Sequence, residues 1–308
     1  MYNPIDYIIN NKTNIKLKIF YFSLEMSKEQ KLRQSICNYL YVKSKGKYKI
    51  DPKNLRSVKN PVSEEILNEV EGSKEHFDKF QEVVTFIDNI KNPTGIYKFM
   101  RNYARANGTI HMTTKTFKDN KTGEKYENEI FNYYEPNDPD EYVIMIIDHV
   151  SLLHQEQGMT LHQTITKLSS NYLVELRNRY NFIPVVIQQQ SAAQESVENM
   201  KANRLKPSLD GLADNKLTAR DADVVLGLFS PYRHKIKTYP EKDGYNIMYF
   251  KDNIRFLEVL ASREGGGNSI CPLYFDGAVN FFKELPLPTN IPEMNKIKNF
   301  IKNERERT

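Results

Sequence analysis

The sequence predicts an α/β protein with a mostly parallel sheet flanked by helices, antiparallel C-terminal strands and an inserted β-hairpin. Two observations lead to this prediction. In residues 17–187, apolar runs of strand length alternate with helical segments whose starts carry capping residues. Beyond residue 224 the apolar runs follow one another closely and are separated by turn residues. The first pattern is typical of parallel sheets, and the second of antiparallel ones.

The first predicted strand covers Leu17 to Phe22, a run rich in strand-forming residues. Ser27 and Gln30 then form a capping box that opens a helix. Glu25 therefore lies on a strand-to-helix turn. The apolar face of the helix is expected to consist of Leu32, Ile36 and Leu40.

Residues 54–90 are predicted to be helical and polar, with a helix start at residues 61–63. Asn92-Pro93-Thr94 opens a further helix, which ends at Asn107-Gly108. Within residues 54–90, the buried stripe is expected to consist of Phe77, Phe80, Val84 and Ile87.

Residues 109–141 break the alternation and predict an exposed hairpin, which we interpret as an insertion. Two buried strands are predicted beyond it, at Val143 to Ile147 and at Ile183 to Ile187, each covered on both faces. Between them, Thr160 and Gln163 form a second capping box that opens a helix.

The C-terminal part begins with a polar loop at residues 191–218. Gly265-Gly266-Gly267 is expected to form the tip of a hairpin between two of the strands that follow. We expect one large domain at residues 1–285 and a tail with a short charged helix at residues 286–308. The predicted strands are residues 224–229, 247–250, 256–260, 270–275 and 279–282.

Composition narrows the class of protein. A formal net charge of +5 permits nucleic acid as a partner without requiring it. The two cysteines, Cys37 and Cys271, are far apart in apolar contexts, which indicates reduced core thiols and excludes a zinc site. No apolar run is long enough for a membrane span, and the N-terminus is unlike a signal peptide. A cytoplasmic protein is expected, in the host cytoplasm if a phage encodes it.

Two acids follow apolar runs in a way that suggests nucleotide hydrolysis. Glu25 comes after the first predicted strand, and Asp148 comes directly after Val143 to Ile147. An ATPase needs one acid that activates water and one that holds magnesium through water, besides a Gly-rich loop with a Lys around the phosphates. No Gly-Lys-Ser or Gly-Lys-Thr tripeptide occurs in the sequence, so only the two acids are supplied.

Five motifs, in one order, resemble the C-terminal RecA-like motor domain of DnaB-type hexameric replicative DNA helicases. The resemblance extends from about Lys18 to Leu285 and is interrupted by the hairpin. The motifs are Phe22-Ser-Leu-Glu-Met26, Ile146-Ile-Asp148, Pro184-Val-Val-Ile-Gln-Gln-Gln190, Arg220-Asp-Ala-Asp223 and Ser262-Arg263-Glu-Gly265.

The resemblance implies a role for each matching residue. Glu25 would be the general base and Asp148 would hold the water shell of Mg²⁺ in Mg-ATP. Gln190, expected at the end of its strand, would contact the γ-phosphate. Arg263 would be a finger that reaches a neighbouring subunit's nucleotide. The candidates for contact with the backbone of single-stranded DNA are Lys201, Arg204 and Lys206.

The chain also departs from the family pattern. Related helicases have a Gly-Lys-Thr loop about 25 residues upstream of the catalytic acid, a point that here falls before Met1. Tyr2 to Asn10 takes the place of the helix that normally follows that loop. Ala261 stands where the family usually has a Lys, two residues before the finger Arg. The prediction is thus a motor domain that lacks its Walker A loop.

Three functions remain open at this stage. The first is an ATP-driven helicase motor, assembled as a hexameric ring on single-stranded DNA, with a primase or loader as further partners. Its missing N-terminal part would then lie on another polypeptide or have been lost through a late start, an intron or an intein. The second is a degenerate, non-hydrolysing paralogue that serves as a structural DNA-binding subunit. The third is another RecA-like ATPase, against which the Ser-Leu-Glu-Met motif argues.

Overall fold

The structure is a computed structural model that describes residues 5, 7–8, 14–57, 59, 61–191, 196, 198–199, 205–267 and 269–307. The strands are β1 (Lys16–Ser23), β2 (Val84–Ile87), β3 (Gly108–Lys118), β4 (Lys125–Pro136), β5 (Glu141–Asp148), β6 (Ile183–Val186), β7 (Val224–Phe229), β8 (Thr238–Tyr239), β9 (Tyr245–Asn246), β10 (Ile254–Ser262), β11 (Ile270–Asp276) and β12 (Phe281–Glu284).

The α-helices alternate with these strands in the N-terminal part of the chain. The helices are α1 (Lys28–Lys43), α2 (Glu64–Glu71), α3 (Lys74–Val83), α4 (Pro93–Ala106), α5 (Leu161–Thr166), α6 (Val174–Tyr180), α7 (Leu217–Asp221), α8 (Ile247–Phe250) and α9 (Ile291–Arg307). A π-helical segment, Lys167–Leu173, joins α5 to α6. Short 3₁₀ turns lie at Asn54–Arg56, Val150–Leu152, Pro231–His234 and Lys251–Asn253.

The described residues fold as two compact units. The first unit comprises Met1–Met26 and His76–Gln188, and the second comprises Ser27–Glu75 and Gln189–Thr308. Each unit has its own sheet and its own apolar core.

The first unit is built on a four-stranded parallel sheet with the order β2-β1-β5-β6. This arrangement confirms the predicted parallel sheet. In the longest pairing, β1 and β5 match from Lys16 opposite Glu141 to Ser23 opposite Asp148. The centre of the sheet is apolar, so fully buried side chains from its strands pack with those of α4, α5 and α6. These include Phe22, Ile96, Met100, Met145, Ile147, Ile165 and Leu176.

Two predictions about this sheet were wrong. Val84–Ile87 is strand β2, whereas the sequence predicted the end of a helix. Val, Thr, Phe and Ile all favour strands, and pairing with β1 decides their conformation. The second error concerns β6, which was expected to be covered on both faces. Among the described strands it lies at the edge of the sheet, and its side chains Ile183 and Val185 are each 41% exposed.

The loop before α5 is fixed to the start of α4 by one carboxylate. Glu156 accepts hydrogen bonds from the backbone N–H of Thr94 at 2.8 Å and from Asn92 Nδ2 at 3.4 Å. It also forms an ion pair with Lys167, and its side chain is 14% exposed. Burial alone would raise the pKa of Glu156, but the hydrogen bonds from Lys167, Thr94 and Asn92 outweigh it and lower the pKa to about 2.

This lowered pKa predicts a defined pH dependence of stability. Because the folded-state pKa of Glu156 lies below its ordinary 4.5, the carboxylate stabilises the fold above that pH. Its contribution is lost as the pH falls from 4.5 towards 2. We expect Glu156→Gln to lower the free energy of unfolding by about 2–3 kcal/mol at pH 7.

The measurement is urea unfolding of the wild type and the variant at several pH values between neutral and strongly acid. The two proteins are expected to converge in stability at the acid end, since the wild-type carboxylate is then protonated. Glu82→Gln is the matched control, because Glu82 is an exposed glutamate of the same unit. A stability difference between wild type and Glu156→Gln that stays constant with pH would contradict the role given to the carboxylate.

The predicted hairpin is confirmed as β3 and β4, which pair in antiparallel fashion from Gly108 opposite Pro136 to Lys118 opposite Lys125. At its tip the Asp119 carboxylate accepts from the backbone N–H of Lys121 at 2.6 Å, and Gly123 adopts a φ of 73°. At its base the hydroxyl of Tyr134 donates to the carbonyl oxygens of Ala104 and Asn107, both at 3.1 Å. The hairpin is therefore anchored to the end of α4.

The second unit contains an antiparallel sheet with the order β12-β11-β10-β7, as predicted for the C-terminal strands. Helix α1 belongs to this unit, and its capping box is formed as predicted. The buried face of α1 differs from the prediction, however, because Leu32 and Ile36 are only half-buried. The residues of α1 that are buried are Ser35, Cys37, Asn38, Leu40 and Tyr41.

The segment 247–250 was predicted to be a strand, and this was wrong. It forms the single-turn helix α8, whose start is capped by Asn246 Oδ1 accepting from the backbone N–H of Tyr249 at 3.2 Å. Ile247 and Phe250, three residues apart, are both buried on one side of this turn. Four apolar residues do not distinguish one helical turn from a short strand.

The predicted tail, residues 286–308, contains helix α9. Met294, Ile297 and Ile301 on this helix are buried in the core of the second unit. The hydroxyl of Tyr41 donates to Glu304 Oε2 at 2.9 Å in a buried hydrogen bond. Helix α9 is consequently an integral part of the unit's packing.

Candidate hydrolytic site

The carboxyl ends of β1 and β5 lie side by side in the first unit. Ser23 pairs with Asp148, and the backbone N–H of Leu24 donates to the carbonyl oxygen of Asp148 at 2.8 Å. Glu25 follows two residues beyond the end of β1. The pairing therefore brings the two predicted acids to one edge of the sheet, where ligands of parallel sheets commonly bind.

The turn that carries Glu25 is fixed by three contacts. Ser23 Oγ donates to the carbonyl oxygen of Met26 at 2.6 Å, and the side chain of Leu24 is buried. Lys91 Nζ donates to the carbonyl oxygen of Leu24 at 2.9 Å. The Glu25 side chain itself is 66% exposed. Its carboxylate is thus held on an ordered turn while remaining accessible to water.

Asp148 has a partner from the neighbouring strand. The hydroxyl of Tyr21 on β1 donates to Asp148 Oδ2. A carboxylate at a buried strand end is costly to desolvate unless it is hydrogen-bonded, and Tyr21 meets this requirement. His149, to which the sequence assigned no role, is buried and places its Nε2 4.0 Å from Glu25 Oε2. The peptide bond between Asp148 and His149 is cis.

The carboxylates at this edge of the sheet fit part of a Mg-ATP site. In the described ranges, no group of three or more His, Cys, Asp or Glu residues could hold a metal ion directly. A single strand-end carboxylate such as Asp148 suits the hydration shell of Mg²⁺, which retains several waters. At the start of α1, the capping box takes up the backbone N–H groups of Ser27 and Gln30. The edge therefore carries one exposed carboxylate, Glu25, and one hydrogen-bonded carboxylate, Asp148.

Gln190 does not lie at a strand end, contrary to the prediction. Strand β6 ends at Val186, and Gln190 belongs to the second unit. There it forms an isolated antiparallel bridge with Leu212, and its Nε2 donates to the carbonyl oxygen of Ser208 at 3.3 Å. The three-Gln run extends past the last sheet hydrogen bond, which joins the N–H of Ile187 to Ile147.

Arg263 follows β10 at the hairpin tip and contacts the Arg220-Asp-Ala-Asp223 motif. Its Nη1 lies 3.1 Å from Asp223 Oδ1, and its Nη2 donates to the carbonyl oxygen of Arg220 at 2.9 Å. Both side chains of the ion pair are about half exposed. The structure thus joins two of the five motifs within the second unit.

The three predicted DNA contacts are only partly described. Lys201 and Arg204 lie outside the described residues. Lys206 is exposed, and its Nζ lies 4.9 Å from the centre of the Tyr239 ring.

Sequence reasoning missed Tyr21 and Lys91, which support the two acids. Tyr21 lies within an apolar strand and looks like a core residue in the sequence. Lys91 precedes the Asn92-Pro93 helix start and looks like a solvated loop residue. Only the pairing of β1 with β5, and the return of the chain before α4, brings them to Asp148 and Leu24.

Comparisons with known proteins support the fold. No protein-family model matches the chain, and no curated protein matches it either. Among solved structures, it is similar to a DnaB-like replicative helicase that was studied for its interactions with primase, with a TM-score of 0.58 and 15% identity. The match covers 86% of this chain and 51% of that one, so the chain spans about half the length of that helicase.

This similarity, together with the sheet orders, confirms the predicted fold class. The chain has the α/β fold of a DnaB-like helicase, with a mostly parallel sheet flanked by helices and with antiparallel strands beyond it. At this level of identity the comparison concerns the fold alone. No helix within the described ranges is long and apolar enough to cross a membrane.

Proposed function

We propose that the chain is the motor domain of a DnaB-type replicative helicase whose phosphate-binding loop is supplied from outside residues 1–308. In this proposal the domain hydrolyses ATP and couples hydrolysis to movement on single-stranded DNA and to unwinding of the duplex. The observation that supports it most strongly is the pairing of Ser23 with Asp148, which brings Glu25 and Asp148 to one sheet edge.

Each acid has the environment that its role requires. Glu25 is exposed on a fixed turn, so it can accept a proton from an attacking water molecule. Asp148 is held by Tyr21 and would orient the water shell of Mg²⁺. Lys91 is a positioning residue, because it fixes the carbonyl group that precedes Glu25. Mg-ATP would supply the γ-phosphoryl group and the Mg²⁺ whose bound waters Asp148 would orient.

The remaining roles follow from the family resemblance. Gln190 would contact the γ-phosphate, and Lys201, Arg204 and Lys206 would contact the DNA backbone. Arg263 would act on the nucleotide of a neighbouring subunit in a hexameric ring. Its ion pair with Asp223 is half exposed, and exposed pairs contribute only about 0–1 kcal/mol, so releasing Arg263 for that role costs little.

The proposal implies partners. It needs single-stranded DNA, further copies of the chain and a segment that supplies the Gly-x-Gly-Lys-Thr loop, on this gene or on a separate polypeptide. A primase or a loader would join in the cell. We call residues 1–308 together with such a loop segment the completed protein.

A second candidate is a non-hydrolysing subunit that binds DNA or stabilises a ring. The observation that favours it is the lack of a Gly-Lys-Ser or Gly-Lys-Thr tripeptide in the sequence. Without that Lys and the loop N–H groups, the β- and γ-phosphates of ATP would remain largely uncompensated.

The two candidates differ in one experiment. Residues 1–308 alone are expected to show little ATP turnover with single-stranded DNA, whereas the completed protein should hydrolyse ATP in a DNA-stimulated manner. The loop segment for the completed protein is to be sought in the coding sequence upstream of Met1 and in neighbouring genes. A completed protein that binds DNA but has no turnover would favour the non-hydrolysing subunit. Strong turnover by residues 1–308 alone would show that the loop is not required.

A further inference from the structure

One side of helix α4, in the first unit, carries a cationic cleft that the proposed function does not use. Lys98, Arg101 and Arg105 are spaced three and four residues apart, which places them on one face of the helix. They line a cleft of about 360 Å³ together with the rings of Tyr97 and Tyr172. We call these five residues the α4 surface.

A second cleft continues this surface towards the hairpin. It has a volume of about 420 Å³, shares Arg101 and Arg105 with the first cleft and reaches Gly108, Thr109 and Met112 at the base of β3. The cations therefore line an elongated path. Such a path suits a chain of phosphates better than a single small anion.

Within the described part of the chain, the cations of the α4 surface form no direct ion pairs, and the nearest acid, Glu175, lies behind Tyr97 outside both clefts. No Asp or Glu lines either cleft. Among the described residues, no carboxylate forms an ion pair with Lys98, Arg101 or Arg105, whereas the adjacent Glu175 is paired with Arg179 at 2.9 Å. The Nε of Arg101 is shielded from solvent and has no hydrogen-bond partner. The Arg101 guanidinium also interacts with Tyr180, so the cations most open to a ligand are the exposed Lys98 and Arg105.

The aromatic residues add an ordered pair of rings, with Arg101 over the Tyr97 ring at 6.0 Å and Lys167 over the Tyr172 ring at 5.5 Å. The rings of Tyr97 and Tyr172 stack at 4.4 Å with an interplanar angle of 13°. Both are held by their hydroxyl groups, since Tyr97 donates to Glu175 Oε1 at 2.8 Å and the Tyr172 oxygen lies 3.1 Å from Thr94 Oγ1. Grooves for single-stranded nucleic acid combine these two features, namely cations along the backbone and fixed rings for the bases.

We propose that the α4 surface binds single-stranded nucleic acid, with phosphates on Lys98, Arg101 and Arg105 and a base against the edge of the Tyr97–Tyr172 pair. This surface lies in the first unit, whereas the DNA contacts inferred from the family resemblance lie in the sequence between β6 and β7. Binding at the α4 surface does not require nucleotide hydrolysis and goes beyond the proposed motor activity.

The test is fluorescence anisotropy of a labelled oligothymidylate titrated with residues 1–308 at several salt concentrations. The Lys98→Gln/Arg101→Gln/Arg105→Gln variant is expected to bind at least about tenfold more weakly at low salt. The slope of log K against log salt should become shallower by about 2, since each contact with a single strand contributes about 0.7.

The matched control removes the same charge elsewhere. Lys296, Lys298 and Lys302 are exposed on α9, and their replacement by Gln is expected to leave the salt slope unchanged. Because Arg101 is partly buried, the Lys98→Gln/Arg105→Gln variant serves as a second test that leaves the packing of Arg101 intact. It should lose affinity in the same direction.

Wild-type affinity and salt slope in both α4 variants would overturn the proposal, as would an equal loss in the α9 control. Oligoglutamate that competes as well as unlabelled oligothymidylate would overturn the assignment to nucleic acid. This test is independent of the motor proposal. If the completed protein has no ATP turnover but oligonucleotide binding still depends on the α4 surface, only the motor function is removed.

Discussion

Replacement of Glu25 by Gln is expected to lower kcat of ATP hydrolysis by the completed protein about 10²–10⁴-fold, the usual contribution of a general base. Gln has the same shape as Glu but cannot accept the proton of the attacking water. The turn is held by Ser23 Oγ and Lys91 Nζ, and the side chain is 66% exposed, so the fold should not change. The measurement is steady-state ATP turnover with saturating single-stranded DNA.

The control for this prediction is again Glu82→Gln, an exposed glutamate on α3 of the same unit. Its turnover should match that of the wild type within experimental error. Oligonucleotide affinity should be the same in both variants, since neither residue belongs to the α4 surface. A Glu25→Gln protein that retains turnover would remove Glu25 from the role of general base.

The second large effect concerns stability and helix α9. Ile297→Ala is expected to lower the free energy of unfolding by about 2–5 kcal/mol, because the side chain is 6% exposed in the core of the second unit and leaves a cavity. Removal of the whole segment beyond Leu285 should prevent that unit from folding, since it also deletes Met294, Ile301 and the partner of Tyr41. Urea unfolding followed by circular dichroism measures both effects.

Ile291→Ala is the matched control on the same helix. Ile291 is 59% exposed, so its truncation should change the free energy of unfolding by less than about 0.5 kcal/mol. A soluble protein truncated after Leu285 that unfolds with wild-type cooperativity would show that α9 is dispensable, as expected for a tail.

The sequence predicted those parts of the fold that local patterns determine. The capping boxes at Ser27 and Thr160 start helices as expected, because they are complete within four residues. Strand β2 and helix α8 were assigned to the wrong class. Each is only four residues long, and the contact that decides its conformation comes from elsewhere in the unit, pairing with β1 for β2 and apolar burial for α8.

The candidate site, too, was predictable from the sequence in part only. The meeting of Glu25 with the Asp148 strand end is predictable, because parallel strands that begin together bring their carboxyl ends to one edge. The position of Gln190 was not predictable, since nothing in its three-Gln run marks where the sheet hydrogen bonds end. The α4 surface was also missed, because only the folded helix and the approach of Tyr172 bring its cations and rings into one cleft.

The most direct test of the central claim, that Glu25 and Asp148 serve one reaction, is a double-mutant cycle on ATP turnover. The completed protein is measured as wild type, Glu25→Gln, Asp148→Asn and the double variant, each with saturating single-stranded DNA. Residues that act as a unit are strongly non-additive, so the double variant should be about as slow as the slower single variant. Two losses that multiply in the double variant would contradict a shared hydrolytic site.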